Sequence, residues 1–186
     1  MLDPPIFDGH NDLLLRLSGA PPGWEARFLN GSDGHIDLPR ARAGGFAGGL
    51  FAVFAPSPDA GIRFADMCMP SYDIPLPPPL DYADALPIAM AQVAILFKLE
   101  TLAPLRVCRS VDDIMSSMQD GKIAAVLHME GAEAIGQDLA ALEVLVKAGL
   151  RSLGPVWSRP NGIAEGVPFR IPSAPDEGEG LPPLGR

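Results

Sequence analysis

The chain has 186 residues, and its 14 basic and 23 acidic side chains give a net charge of −9. That balance argues against electrostatic binding to nucleic acid or to an anionic membrane surface, since both need a basic face. Twenty glycines and 21 prolines make the chain loop-rich, yet 47% apolar residues are enough for the core of one domain.

In chain order, Ile6-Phe7-Asp8-Gly9-His10-Asn11-Asp12 begins apolar and turns polar, as a short strand running into a loop does. Residues 18–36, rich in Gly, Pro, Asn, Ser and Asp, read as surface loop. Residues 38–45 predict a short helix stopped by glycine, with Pro39 in its first turn, where the missing N–H has no intrahelical partner. The nearly continuous apolar run 46–55 predicts a strand buried on both faces, as in a parallel sheet. Residues 56–82 read as a Pro-rich irregular insertion.

Residues 84–103 form the longest predicted helix, with Pro87 in its first turn and Pro104 closing it. Ser110 followed by Asp113 caps a helix over 111–119, with Gly121 beyond its end. Residues 123–127 predict a third strand. Residues 138–148 predict an amphipathic helix, with Leu139, Leu142, Leu145 and Val146 on one face and Gly149 as its stop. Residues 150–157 predict a fourth strand, and beyond Pro160 runs a Gly/Pro/acidic tail. Strands alternating with helices argue an α/β fold with parallel strands. About four strands in this length fall short of a complete eight-stranded barrel.

Two cysteines, Cys68 and Cys108, fit neither a disulfide framework nor a Cys-x-x-Cys zinc site. The start, Met1-Leu2-Asp3-Pro4-Pro5, has no secretory-leader pattern, and no uninterrupted apolar run of about 18 residues occurs. The expectation is a cytoplasmic protein without a membrane span.

Three constellations carry chemistry. In the first, alternation along a strand puts residues 8, 10 and 12 on one face. His10 and Asp12 can then converge on one cation, since imidazole and carboxylate are both zinc ligands. Asp8 either orients the imidazole or faces away. The alternative is a polar strand-end turn. The second is His128-Met129-Glu130-Gly131-Ala132-Glu133, at the C-terminal end of a buried strand, where active sites of parallel α/β folds open. Glu130 either shares a metal with His10 and Asp12 or, with Glu133, starts a helix whose dipole favours acids. His128 reads as a satisfied strand-end histidine. In the third, Trp157, Arg159 and Asn161 either line a substrate pocket, with Arg159 meeting a carboxylate, or form a solvated loop with one packed aromatic. His35 reads as surface. Nucleophile-elbow, Walker and dinucleotide-binding patterns are absent, and three histidines are too few for a His-only metal cage.

Taken in order, four stretches resemble the membrane (renal) dipeptidase family of zinc hydrolases, bacterial type. They are Phe7-Asp8-Gly9-His10-Asn11-Asp12; His35-Ile36-Asp37-Leu38-Pro39-Arg40 with Arg42-Ala43-Gly44-Gly45; His128-Met129-Glu130-Gly131-Ala132-Glu133; and Gly149-Leu150-Arg151-Ser152-Leu153-Gly154-Pro155-Val156-Trp157-Ser158-Arg159-Pro160-Asn161. The resemblance implies a (β/α)8 barrel with two zinc ions at its C-terminal mouth. His10 and Asp12 match ligands of one ion, and Glu130 matches the carboxylate that bridges both. A metal-activated water then hydrolyses dipeptides, including some with a D-residue at the C-terminal position. Two further histidine ligands, a proton-transfer aspartate and a substrate-binding arginine lie downstream in the family. The expectation is therefore an incomplete barrel of about four strand–helix units, a single domain portion over 1–186. It holds at most one partial zinc site and is weak or inactive alone. Two unpaired sheet edges and an uncovered apolar interior predict self-association, or association with a complementary C-terminal half. Trp157 stands where animal members place a substrate-contacting histidine, and Glu165 where many bacterial relatives carry one. The alternatives are a non-catalytic fragment or interaction protein, and a cyclic-amide hydrolase, whose usual His-x-His differs from His10-Asn11-Asp12.

Overall fold

A computed structural model describes residues 4–58, 64–174, 178 and 180–186. Part of the predicted 56–82 insertion and of the tail beyond 160 lies outside the described residues.

The centre of the structure is a parallel sheet. Its longest members are β2 (Phe46–Phe54) and β5 (Ile123–Glu130), paired in unbroken register from Gly48↔Ala124 to Phe54↔Glu130. β1 (Ile6–Asn11) lies on the outer edge of β2. β4 (Leu105–Val107) pairs with the start of β5, and β6 (Leu150–Gly154) with its end. Among the described residues this parallel sheet thus has five strands, not about four. β4 was missed because three residues after Pro104 carry too little pattern to read. β5 also runs three residues beyond its predicted end, so Glu130 finishes a strand and does not start a helix.

Close pairing of β2 with its neighbours depends on two glycines: a Cβ on Gly48 would come within 2.5 Å of the Ala124 carbonyl oxygen on β5, and one on Gly49 within 2.9 Å of the Asp8 carbonyl oxygen on β1. The outward row of β2 and β5, including Phe51, Val53, Leu127 and Met129, is buried under helices. These are α1 (Leu13–Ser18), α3 (Leu38–Ala43) and α4 (Tyr82–Leu102). The opposite row, Ala124 and Val126, packs with Leu50, Cys108 and two residues of α5 (Val111–Gln119), Ile114 and Met118. The interior face is therefore covered over its lower half. β1 and β6 each have one strand neighbour among the described residues, and Ile6 and Phe7 are exposed.

α4 begins two residues before its predicted start, which moves Pro87 out of the first turn. Length and apolarity alone would let this helix cross a bilayer. Here its row of Ala85, Ala89, Gln92, Val93, Leu96 and Leu99 is buried in the core. Gln92 is polar for a reason. Its amide donates to the Phe54 carbonyl at 2.7 Å and accepts from the Phe54 N–H at 3.0 Å. It acts as a substitute strand where β1, whose last pairing is Asn11↔Phe51, no longer reaches.

Two segments expected to be irregular are ordered. α2 (Trp24–Asn30) forms within the predicted loop 18–36, anchored by the fully buried Phe28. β3 (Tyr72–Ile74), from the Pro-rich insertion, pairs antiparallel with β7 (Phe169–Ile171), from the predicted tail. α5 has the predicted cap: the Ser110 hydroxyl accepts from the Asp113 N–H at 3.1 Å. α6 spans Ala140–Ala148, shorter than predicted, because Leu139 is left-handed (φ 58°) and cannot be helical. Only Leu145 of its predicted apolar face is fully buried; Leu139 and Val146 are exposed.

Candidate metal centre

β1 does not alternate as a regular strand. Asp8 faces Gly49 and Asn11 faces Phe51, so three steps on β1 match two on β2, and Gly9–His10 forms a bulge. A bulge re-aims a side chain, and here it turns His10 toward β5. Asp8 holds the bulge: its carboxylate accepts from the His10 backbone N–H at 3.3 Å and from the Asn11 amide at 3.1 Å. Asp8 therefore binds the His10 backbone N–H and the Asn11 side chain, and not the imidazole.

The predicted trio comes together. His10 Nε2 lies 3.4 Å from Asp12 Oδ1 and 3.3 Å from Glu130 Oε2. One donor atom from each of the three residues lies within 4.8 Å of the others. Asp12 occupies the N-cap position of α1, yet its carboxylate makes no capping hydrogen bond, which leaves it for other use. Burial lifts the Glu130 carboxyl above the usual carboxylate range; His10 opposes this, and the nearby Asp12 charge adds to it.

Two acids crowded against one imidazole are an arrangement that a divalent cation relieves. A tetrahedral ion with bonds of about 2.0–2.1 Å holds its ligand atoms roughly 3.3–3.4 Å apart. That is the separation found on both sides of His10. The donor set fits a metal ion.

His128 sits two residues before Glu130 on the same strand face. Its Nδ1 hydrogen-bonds Ser152 Oγ at 2.8 Å, and its ring meets His10 edge to face at 5.5 Å. Burial, then the charge on His10, holds its pKa below the ordinary histidine value, against the opposing effect of Ser152. It is a hydrogen-bonded strand-end histidine that also buttresses His10.

A cleft of about 500 Å³ opens beside the trio, lined by His10, Asp12, Asp8, Arg16, Asp33 and His35. His35, read as surface from the sequence, is exposed but belongs to this wall. Its shape is set by Arg16, which donates to Ser32 Oγ at 3.1 Å and to the Ile36 carbonyl. Asp37 lies beneath, fully buried, accepting from the N–H groups of Arg40 (2.9 Å) and Ser32 (3.0 Å). Burial pushes its pKa up, but these bonds and the charges of Arg40 and Arg16 outweigh that and lower it overall.

The third constellation divides. Trp157, 50% exposed, packs edge-on against Phe54 at 5.7 Å and Phe169 at 5.8 Å. Phe54 is the register partner of Glu130, so this aromatic wall stands next to the metal trio. Asn161 shapes its own loop: its amide donates to the Pro155 carbonyl, and its oxygen accepts from Ile163 and Ala164. Arg159 is buried at 3% exposure, and every nitrogen of its guanidinium is engaged within the fold. It is not presented to a substrate.

Comparison with known proteins agrees with a metallopeptidase fold. Residues 1–186 match the membrane dipeptidase family (peptidase family M19) throughout, and the chain belongs to that family. A metallo peptidase from Rhodobacter sphaeroides, solved with a phosphinate mimic of the dipeptide L-Ala-D-Ala, superposes with a TM-score of 0.91 at 49% identity, over 97% of this chain and 53% of that one. A second solved structure, described as dipeptidase AC of the same family, gives 0.90 at 49% identity, over 97% and 52%. A protein of Acinetobacter calcoaceticus described as an "uncharacterized protein in PQQ-III 3'region" is 36% identical over 185 residues, 95% of this chain and 56% of its own length. The chain thus spans about half the length of these relatives.

Proposed function

We propose that the chain carries one part of a zinc dipeptidase centre, with His10, Asp12 and Glu130 as metal ligands and dipeptides as substrates. The observation that carries this reading is the meeting of those three side chains at the strand tips of a chain that belongs to the membrane dipeptidase family. The Rhodobacter sphaeroides relative, solved with its L-Ala-D-Ala mimic, supports short dipeptides with a C-terminal D-residue as the first compounds to test.

His10 supplies a neutral nitrogen lone pair, and the bulge holds it in place. Asp12 and Glu130 supply the negative charge that a divalent ion needs. Glu130, whose Oε2 faces His10, would be the catalytic carboxylate and would help to hold the metal. A bound zinc ion supplies Lewis acidity, which lowers the pKa of water and stabilises a developing oxyanion. Trp157, backed by Phe54 and Phe169, stands as an aromatic wall beside the trio, where it would position an apolar side chain. Asn161 keeps the loop after β6 in shape for that wall.

Three protein ligands hold one ion with an open fourth place. On this reading residues 1–186 bind one zinc and turn dipeptides over weakly or not at all without a complementary half. A non-catalytic interaction role is the second reading, favoured by the exposed Ile6 and Phe7 on the β1 edge. The experiment is elemental analysis of the purified chain, followed by assay on a dipeptide panel with and without the complementary half. One zinc per chain is expected, lost in His10→Ala and Asp12→Ala. Unchanged stoichiometry in those variants would remove the metal assignment, and efficient turnover by residues 1–186 alone would remove the partial-site reading.

A further inference from the structure

Arg159 and Glu133 form an ion pair with both side chains 3% exposed. Arg159 Nε and Nη2 donate to Glu133 Oε1 at 3.2 and 3.0 Å. Nη2 also donates to the Ala55 carbonyl at 2.7 Å, and Nη1 to Ser57 Oγ at 2.7 Å. One guanidinium therefore ties together the chain leaving β2, the chain leaving β5 and the loop after β6.

The join lies just behind the metal trio. Ala55 follows Phe54, the register partner of Glu130. Glu133 follows Glu130 by one tight turn, built on Gly131 at φ +89°. Gly131 and Ala132 continue the sheet beyond its last ladder pair: their N–H groups donate to the carbonyls of Gly154 (2.9 Å) and Pro155 (3.0 Å). The Glu133 carboxylate folds back over this turn, so that a Cβ on Gly131 would lie 2.4 Å from its Oε2. That Oε2 is buried and has no hydrogen-bond partner. A half-satisfied buried carboxylate is costly and persists only where the surrounding structure holds it.

We infer that the Arg159–Glu133 pair is a positioning device that fixes the Glu130 carboxylate against His10, so that Arg159 serves the metal centre from behind without touching substrate. The inference rests on the metal reading above. Without the tie, the turn is held only by the Gly131 and Ala132 N–H bonds to the β6 side, and Glu130, the last residue of β5, loses the support behind it.

Cobalt(II) alone is the probe, since its visible absorption reports both affinity and coordination geometry. The native chain is compared with Arg159→Lys and with the double variant Glu133→Leu/Arg159→Met. The double variant removes both charges together and orphans neither; circular dichroism establishes its fold. Arg159→Lys keeps the charge pair but cannot reach Ala55 and Ser57 at once. Ser110→Ala, which uncaps α5, is the control for general loss of stability.

Both folded variants should bind cobalt at least about tenfold more weakly, as changed outer partners of a metal ligand do, with displaced absorption bands. Ser110→Ala should bind as the native chain does, at a lower melting temperature. In the ion-free chain, the side-chain NMR signals of His10 should move in both Arg159 variants and stay in place in Ser110→Ala. Folded variants with native affinity, native bands and unmoved His10 signals would overturn the inference. A native chain that takes up no cobalt would remove the metal reading; the His10 signals alone would then decide the positioning claim.

Discussion

Asp37→Asn tests whether a motif that looks chemical is in fact structural. Asp37 is fully buried and receives two backbone N–H groups, Arg40 at 2.9 Å and Ser32 at 3.0 Å. Asparagine has one accepting oxygen, so one of the two donors would face an NH2 group. The loss is one hydrogen bond to a charged acceptor, about 1.5–3 kcal/mol, with a buried donor left unpaired at roughly 1–3 kcal/mol. The two overlap, and about 3 kcal/mol is the reasonable sum. Arg40 is half-exposed, and its ion pair adds little. For a chain of this size the expected fall in melting temperature is roughly 6–12 °C.

The pH dependence has a definite sign. The folded pKa of Asp37 is lowered, so its contribution is fully present above the unfolded value of about 3.9. It is lost as pH falls through the lower folded value. Melting followed by circular dichroism at pH 7 and in steps below pH 4 should show the gap between native and variant closing in acid. A gap below about 1 kcal/mol at pH 7, or one that persists undiminished at the acid end, would refute the reasoning.

Gln92→Leu leaves the Phe54 N–H and carbonyl without their partner and should cost about 2–3 kcal/mol in denaturant unfolding. On the proposed dipeptidase reading, Trp157→Ala should raise KM for dipeptides with an apolar side chain, in whatever assembly turns them over, and leave metal stoichiometry unchanged. Cys108 is buried, and burial, aided by Asp113, pushes its thiol pKa up. In a timed thiol-reagent titration Cys68 should react in the native state and Cys108 only after unfolding, since a raised pKa removes the reactive thiolate.

β2 and β5 were legible because a strand covered on both faces is written as an unbroken apolar run, and α5 because Ser110 and Asp113 announce its start within four residues. That His10, Asp12 and Glu130 would meet was legible; the local backbone that brings His10 round was not. Strict alternation along residues 8–12 is broken by the Gly9–His10 bulge, which depends on what β2 presents to it. Elements fixed by distant partners left no local trace. β3 and β7 pair across most of the second half of the chain, and each is three residues long. α2 hangs on a single buried phenylalanine among turn residues. Arg159 reads as a surface cation after a strand, and nothing near it reveals that Glu133 draws it inside.

On the proposed metal reading, Asp12 and Glu130, which stand well over half the chain apart, must both reach the same ion. Between them lie β2, α4 and the β2–β5 ladder, all of which have to be in register first. A local His-x-Asp pair in the unfolded chain supplies two donors; the third arrives only with the finished sheet. Ion uptake is therefore a late event in folding, and added metal should raise apparent stability by mass action. On that reading the centre would double as a clasp that closes on correctly threaded strands and on no earlier arrangement.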